Sequence, residues 1–454
     1  MSGHAAGGTG SGGGPPSAGP RSRGSHAGLA AWCLYDWANS AFPTVVETFI
    51  FAAYFARSVA SNPERGTADW GYALAGAGLV VALASPILGA IADQAGRRKP
   101  WLALFTALAI VAAALLWFTR PAPEWAPWAL AFFALGTVGF ELATVFYNAM
   151  LPDLAPKGYM GRLSGWGWSL GYAGGLACLV TALLGFIEAD PPPFGLDRGE
   201  AEHVRATTLL VAAWMAVFTL PILFLTPDRP ASAIGLRRAL AAGLGTLLGT
   251  LANVRRYREV ARFLIARMVY TDGLNTLFAF GGIYAAGTLG MDVGEIILFG
   301  IALNVASGGG AALFAWIDDW IGPKRTIIIA LAAITVLSVL VLVVESKAQF
   351  WALALPLGIF FGPAQAASRS LMARLAPAGM EAEMFGLYAF TGKATAFVGP
   401  ALLGWVTIEA GSQRWGMATI PLFFVAGLAL MLAVKEPPGA RPPAPLSAGS
   451  GGLR

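Results

Sequence analysis

The chain has 454 residues, of which 56% are apolar and only 12% charged, where a soluble chain carries about a quarter charged residues. With 15 Trp, 27 Phe and a mean hydropathy of +0.64, so few charges cannot cover the apolar surface in water, and the solvent must be a bilayer. The net charge of +5 does not point to nucleic acid, because Lys and Arg are confined to short segments between apolar stretches, where membrane orientation puts them.

Residues 1–27 are rich in Gly, Ser and Pro and lack the apolar side chains that offset the entropy of ordering, so a disordered cytoplasmic tail is expected. They do not read as a cleavable signal peptide, since no apolar core follows a basic start. Residues 437–454 read as a second such tail. Between them, twelve apolar stretches are long enough to span a bilayer, near 30–56, 70–92, 101–119, 125–149, 163–187, 205–226, 263–288, 293–316, 325–344, 350–373, 385–409 and 415–434.

An even number of spans puts both termini on one side. With the N-terminus inside, the inner segments hold 21 Lys and Arg, the outer loops seven, and Arg267 and Lys393 lie within spans. The bias predicts an all-α integral membrane protein with N-in, C-in topology. The basic stretch 227–262 then reads as a cytoplasmic linker, in part an amphipathic helix at the lipid surface, between six-helix bundles at 28–226 and 263–436.

Chemistry inside the spans is restricted by composition. Cys33 and Cys178 fall in apolar stretches as small buried side chains, and His4, His26 and His203 lie in a tail or polar loop. No metal site, cofactor, nucleophile elbow or ATP-binding loop is expected, so an enzyme is not expected.

The two halves read as a parallel repeat. Gly89, Asp93 and Gly96, followed by Arg97 and Arg98, match Ala315, Asp319 and Gly322 at an offset of 226. Leu154-Ala155-Pro156 and Gly165 match Leu375-Ala376-Pro377 and Gly386 at an offset of 221, and Asp36, Asn39 and Phe42 match Asp272, Asn275 and Phe278 at an offset of 236. Three matches in the same order on equivalent helices indicate duplication.

The loop Gly89-x-x-x-Asp93-x-x-Gly96-Arg97-Arg98-Lys99 resembles the signature of the major facilitator superfamily. Tyr35-Asp36-Trp37-Ala38-Asn39-Ser40-Ala41-Phe42, together with Tyr147-Asn148-Ala149-Met150-Leu151-Pro152-Asp153, Gly161-Arg162-Leu163-Ser164-Gly165, Gly171-Tyr172 and Asp272-Gly273-Leu274-Asn275, is similar to the vacuole-effluxer-like family, named for an autophagy-related amino-acid effluxer. The resemblance covers residues 28–436. It implies the twelve-helix major facilitator fold in two pseudosymmetric bundles, alternating access and transport of a small solute. Gln94, Ala315 and Pro323 depart from the signature, which usually has Arg, Gly and Arg there.

Ionisable groups inside a span are functional candidates by default. Asp36, Glu141, Asp272 and Lys393 are expected to form one charged layer. Asp36, Ser40, Pro43 and Glu47 recur along one helical stripe, and Glu47, near the midplane and opposite Ile283 in the repeat, is the candidate proton site. Asn39, Ser40 and Asn275 complete the candidate substrate set. Trp166, Trp168 and Tyr172 read as packing aromatics, and Arg267 as a side chain that snorkels to the headgroups. Gly89, Asp93, Gly96, Arg97 and Arg98, with Asp319 and Gly322, are assigned to a gate, since an acid at a helix end facing basic residues can latch it.

The reading is a monomeric, proton-coupled secondary transporter of a small polar organic solute, with amino acids and export as expectations that lean on the resemblance. A bacterial inner membrane is expected. An uncoupled uniporter and a non-transporting scaffold or sensor are the alternatives.

Overall fold

The computed structural model describes residues 25–232 and 236–436. The expected tails lie outside the described residues but for the first one's last three positions: Ser25 caps a helix that begins at His26, its Oγ accepting from Gly28 N at 3.1 Å. The described residues are helical, with no strand among them.

Helices occupy all twelve expected windows. Nine of them, among the described residues, are long and apolar enough to cross a bilayer. Spans two (Pro63–Ala95), three (Lys99–Leu115), four (Ala126–Leu154), five (Met160–Ala182) and six (Glu202–Leu225) follow span one. Spans eight (Val293–Ile321), nine (Pro323–Leu342), ten (Lys347–Leu375) and twelve (Gln413–Met417, then Ile420–Leu432) belong to the second half. Polar side chains cap their ends: Asn62 accepts from Arg65 N ahead of Pro63, and Asp292 and Glu295 form a reciprocal capping box.

The remaining three windows, spans one, seven and eleven, are irregular or polar. Span one is α-helical over His26–Asn39, then widens into π-type turns over Phe42–Phe49 and Phe55–Val59, with Ile50 N bonding Val45 O and Ala60 N bonding Phe55 O. Pro43, with no N–H to give, stands at the start of the first of these. Span seven (Arg258–Leu289) carries Arg267 and Asp272 in its interior. Span eleven is broken between Glu381–Ala394 and Val398–Ala410.

Within the first half, span one packs on five and six, and span four on two and three; within the second, span seven packs on twelve, and span ten on eight and nine. The two most extensive crossings between the halves are span two with eleven and span five with eight; span ten also meets five, and span eleven meets four. The crossing of spans two and eleven is very close. A Cβ on Gly89 would stand 2.2 Å from the Ala382 carbonyl oxygen, so only glycine fits there. The linker helix, Leu236–Ala252, lies along span two.

Large apolar side chains face outward along the spans, among them Leu83, Val217, Phe224, Val336 and Leu422. Such a surface is incompatible with water and suits hydrocarbon.

Candidate functional site

At the end of the bundle that carries the basic loops, the repeat becomes a reciprocal lock. Asp93, at the end of span two, accepts from the backbone N–H groups of Ala382 and Glu383 at 3.1 and 2.8 Å, the first turn of span eleven. Asp319, at the end of span eight, accepts from Gly161 and Arg162 N–H at 2.7 and 3.1 Å, the first turn of span five. Each carboxylate therefore caps a helix of the other half, where free N–H groups and the helix dipole favour negative charge. Gly96 and Gly322, at φ 86° and 92°, end the two acid-bearing helices in a backbone region that side chains disfavour.

Charges brace each lock with opposite sign. Arg98, 1% exposed, lies 2.7 Å from Asp153, 2.9 Å from Glu381 and 3.6 Å from Asp93. Arg229 bonds both Asp153 oxygens at 2.7 and 2.8 Å and Glu381 at 2.7 Å. Burial lowers the Arg229 pKa, but its bonds to Asp153 and Glu381 outweigh that and raise it above the ordinary value. In the second copy the acids are Asp318 and Asp319, and the bases are Arg374 and Arg162. Arg374 stands 221 residues after Asp153, so at that position the repeat keeps an ion pair while exchanging the sign; Glu383, the same distance after Arg162, joins no ion pair among the described residues. Arg97, assigned to the gate from sequence, is exposed and makes no ion pair among the described residues.

Deeper in the bundle, Asp36 of span one meets Arg369 of span ten at 2.9 Å. Arg369 is 3% exposed. Its Nε donates to Ser164 Oγ and its Nη2 to Ser164 O, at 2.9 and 2.6 Å. Tyr147 OH donates to the same Asp36 oxygen at 2.8 Å. The rings of Trp32, Tyr147 and Trp168 lie 4.9, 5.5 and 5.6 Å from the guanidinium carbon, a setting that suits a weakly hydrated planar cation. Trp168, read from sequence as packing, thus also forms one wall of a charged site.

A second pair crosses the halves nearer the middle. Lys393 Nζ of span eleven reaches Glu141 of span four at 2.5 Å. Glu47 lies within electrostatic reach of both Lys393 and Glu141, and its carboxylate makes no direct hydrogen bond or ion pair among the described residues. Arg267 of span seven lies within electrostatic reach of Lys393. It does not snorkel: it is 7% exposed, with Nη1 donating to Tyr388 O at 2.8 Å and its guanidinium 3.4 Å from the Tyr388 ring centre. No carboxylate lies within ion-pair distance of it among the described residues.

The expected single layer of Asp36, Glu141, Asp272 and Lys393 therefore does not form. Glu141 stands 13 residues before the end of span four, about 20 Å inward, whereas Asp36 pairs nearer the locked end. Asp272 has no cationic partner among the described residues; its Oδ2 accepts from Gly399 N at 3.1 Å and so caps the second piece of the broken span eleven. Asn39 ties span one to span four through Thr144 Oγ1 at 3.1 Å. Ser40, half-buried, stands against Gly171 of span five, and Asn275 is exposed. The stripe through Asp36, Ser40 and Glu47 assumed 100° per residue throughout, which the π turns after Ala41 break.

Sequence reasoning missed Arg369. It was counted with the loop charges, although it lies inside the 350–373 window; moving it leaves 20 inner Lys and Arg against seven. Being within a span was the signal that could have found it.

Repeated halves joined by two main crossings and reciprocal caps define a membrane transporter of the major facilitator class. The fold matches FucP, a major facilitator superfamily transporter, in its outward conformation, with a TM-score of 0.72 and 14% identity over 90% of this chain and 99% of that one. It also matches the proton:xylose symporter XylE, with a TM-score of 0.70 and 13% identity over 91% and 96% of the two chains.

Within that class, the chain belongs to the vacuole effluxer Atg22-like family, whose model matches residues 72–442. An uncharacterized MFS-type transporter of Bacillus subtilis strain 168, YxiO, is 27% identical over 415 residues, covering 89% of this chain and 94% of the relative. Autophagy-related protein 22 of Cryptococcus neoformans strain B-3501A is 25% identical over 68% of this chain and 60% of its own length. The chain thus spans about three-fifths of that fungal relative. The Bacillus relative and both solved structures are transporters by name.

Proposed function

We propose that the protein is a proton-coupled secondary transporter that moves a small polar organic solute, amino acids being the class the family name suggests, by alternating access between the two halves. The observation that carries this reading is the distribution of charge between the two halves. Asp36, Glu47 and Glu141 stand on the first half, and Arg267, Arg369 and Lys393 on the second, joined by the Asp36–Arg369 and Glu141–Lys393 pairs. Ionic contacts between halves can part and re-form as the halves rock, and a membrane scaffold gains nothing from burying them.

Glu47 is the proton site in this reading. Lys393 pairs with Glu141 and lies within electrostatic reach of Glu47, so a proton on Glu47 leaves Lys393 to Glu141 alone, whereas its loss creates a competitor for the ammonium. Protonation thereby biases one cross-half contact. Arg267, a buried cation with no acid in ion-pair range among the described residues, and Asn275 supply polar groups to the solute.

The bundles 28–226 and 263–436 are the moving bodies, and 227–262 links them. The Lys and Arg bias puts the locked end in the cytoplasm, with both termini inside. In this orientation the reciprocal caps close the cytoplasmic side. A bacterial relative favours the plasma membrane, the monomer is the working unit, and export is the expected direction. Proteoliposomes loaded with an amino-acid mixture test the reading: accumulation should need a proton gradient. Equilibration without any gradient dependence indicates a uniporter, and no movement of any solute indicates a scaffold.

A further inference from the structure

The two most extensive crossings between the halves are equivalent, yet their outer flanks differ. Beside the crossing of spans two and eleven, the linker helix fills the flank: Gly243 sits so close to Ile91 that a Cβ would come within 2.8 Å of its Cα, and Thr246 Oγ1 accepts from Gln94 Nε2 at 3.3 Å. The repeat places Ile317 and Trp320 at the positions of Ile91 and Gln94, 226 residues on. There no described element covers the flank. A cavity of about 550 Å³ opens instead, lined by Lys157, Tyr159, Arg162, Trp316, Ile317 and Trp320.

Its lining is amphiphilic in a definite order. Lys157 is exposed, and Arg162 lies over the Tyr159 ring at 4.2 Å. Asp319, the one acid in the lining, accepts from the Gly161 and Arg162 N–H groups and pairs with the Arg162 Nε at 3.2 Å, which leaves Lys157 as the rim's cation without an ion pair among the described residues and the rim net positive. Trp316 and Trp320 are 47% and 74% exposed, and Leu313, deeper on the same span, is exposed as well. A basic rim, then tryptophans, then aliphatic surface follows the polarity profile of a lipid monolayer from phosphate to acyl chain.

We propose that this groove is a binding site for one anionic phospholipid, its phosphate held between Lys157 and Arg162 and its glycerol and upper acyl chain laid along Trp316 and Trp320. The lipid occupies in the second copy the flank that the linker helix occupies in the first, and so braces the span five–eight crossing from outside. The net positive rim selects an anionic lipid over a zwitterionic one. The site is independent of what the central cavity carries.

The full-length protein, reconstituted in nanodiscs of phosphatidylcholine with phosphatidylglycerol and released for native mass spectrometry, should retain a phosphatidylglycerol adduct. Lys157→Gln with Trp320→Ala should cut the retained fraction about fivefold or more, the loss expected from one cation near an anionic surface. Both side chains are exposed, so folding should persist, and Lys157→Gln alone should show a partial loss. Arg120→Gln, which removes a basic residue beside Trp125 at the opposite end, should change nothing. Equal retention by the double variant, equal retention of phosphatidylcholine, or a dimer mass in place of the lipid adduct would each overturn the assignment. So would thermal stabilisation by inorganic phosphate alone equal to that by phosphatidylglycerol micelles, which would make the groove a free-anion site.

Discussion

Asp93 and Asp319 hold the same position in the two halves, and each caps the helix that begins the other half's crossing partner. The lock is thus doubled, and opening that end must break four charge-assisted hydrogen bonds together. Because the caps are made to backbone N–H groups, the identity of the capped side chains, Arg162 in one copy and Glu383 in the other, is free to differ.

Asp93→Asn keeps an acceptor but loses the charge, which should weaken its cap by about 1 kcal/mol. Asp319→Asn should do the same, and the double variant should show the sum, since the two caps share no partner. The readout is the reactivity of a cysteine at the exposed Asn275 toward a membrane-impermeant thiol reagent. It should fall from the single to the double variant as the locked end opens and the other closes. Unchanged reactivity in the double variant would mean that the caps do not control the conformational balance.

Arg369→Gln removes the cation that holds Asp36 and should cost about 2–4 kcal/mol, because a half-buried acid loses its partner. Asp36→Asn in that background should restore part of the thermal stability while transport stays impaired. Full loss of folding in both would show that the aromatic cage, rather than the ion pair, needs the guanidinium.

Lys393→Met should be rescued in expression by Glu141→Gln and not by Glu47→Gln, because Glu141 is the acid in direct contact at 2.5 Å. Quantitative membrane yield of the two double variants decides. Better rescue by Glu47→Gln would reverse the assignment of the pair.

Glu47→Gln mimics a permanently protonated side chain. Gradient-driven accumulation in proteoliposomes should vanish, whereas exchange of labelled for unlabelled solute should persist, because exchange does not need the proton to leave. Intact accumulation with an unaltered pH profile would remove Glu47 from coupling and favour a uniporter.

Cysteines placed at Ser11, Asn253 and Ser447 should react in intact cells only with membrane-permeant reagents. Labelling of any of them by an impermeant reagent from outside would overturn the proposed orientation.

Composition alone determined that this chain lives in a bilayer, since 12% charge cannot solvate 56% apolar residues, and the internal offsets exposed the repeat. The places of Gly89 at a helix crossing and of Asp93 and Asp319 at helix ends were legible because tight crossings and helix caps are local demands that fix residue type. The pairing inside the bundle was not legible. Asp36 and Arg369 are 333 residues apart, and helical spacing says nothing about which distant helix brings a partner. The same limit hid the fate of Arg267, which a single-helix view sends to the headgroups and which packing turns onto Tyr388. The π turns of span one likewise depend on how that helix fits its neighbours. Local periodicity sets which face of a helix is polar; only the packing of one half against the other decides which charges meet.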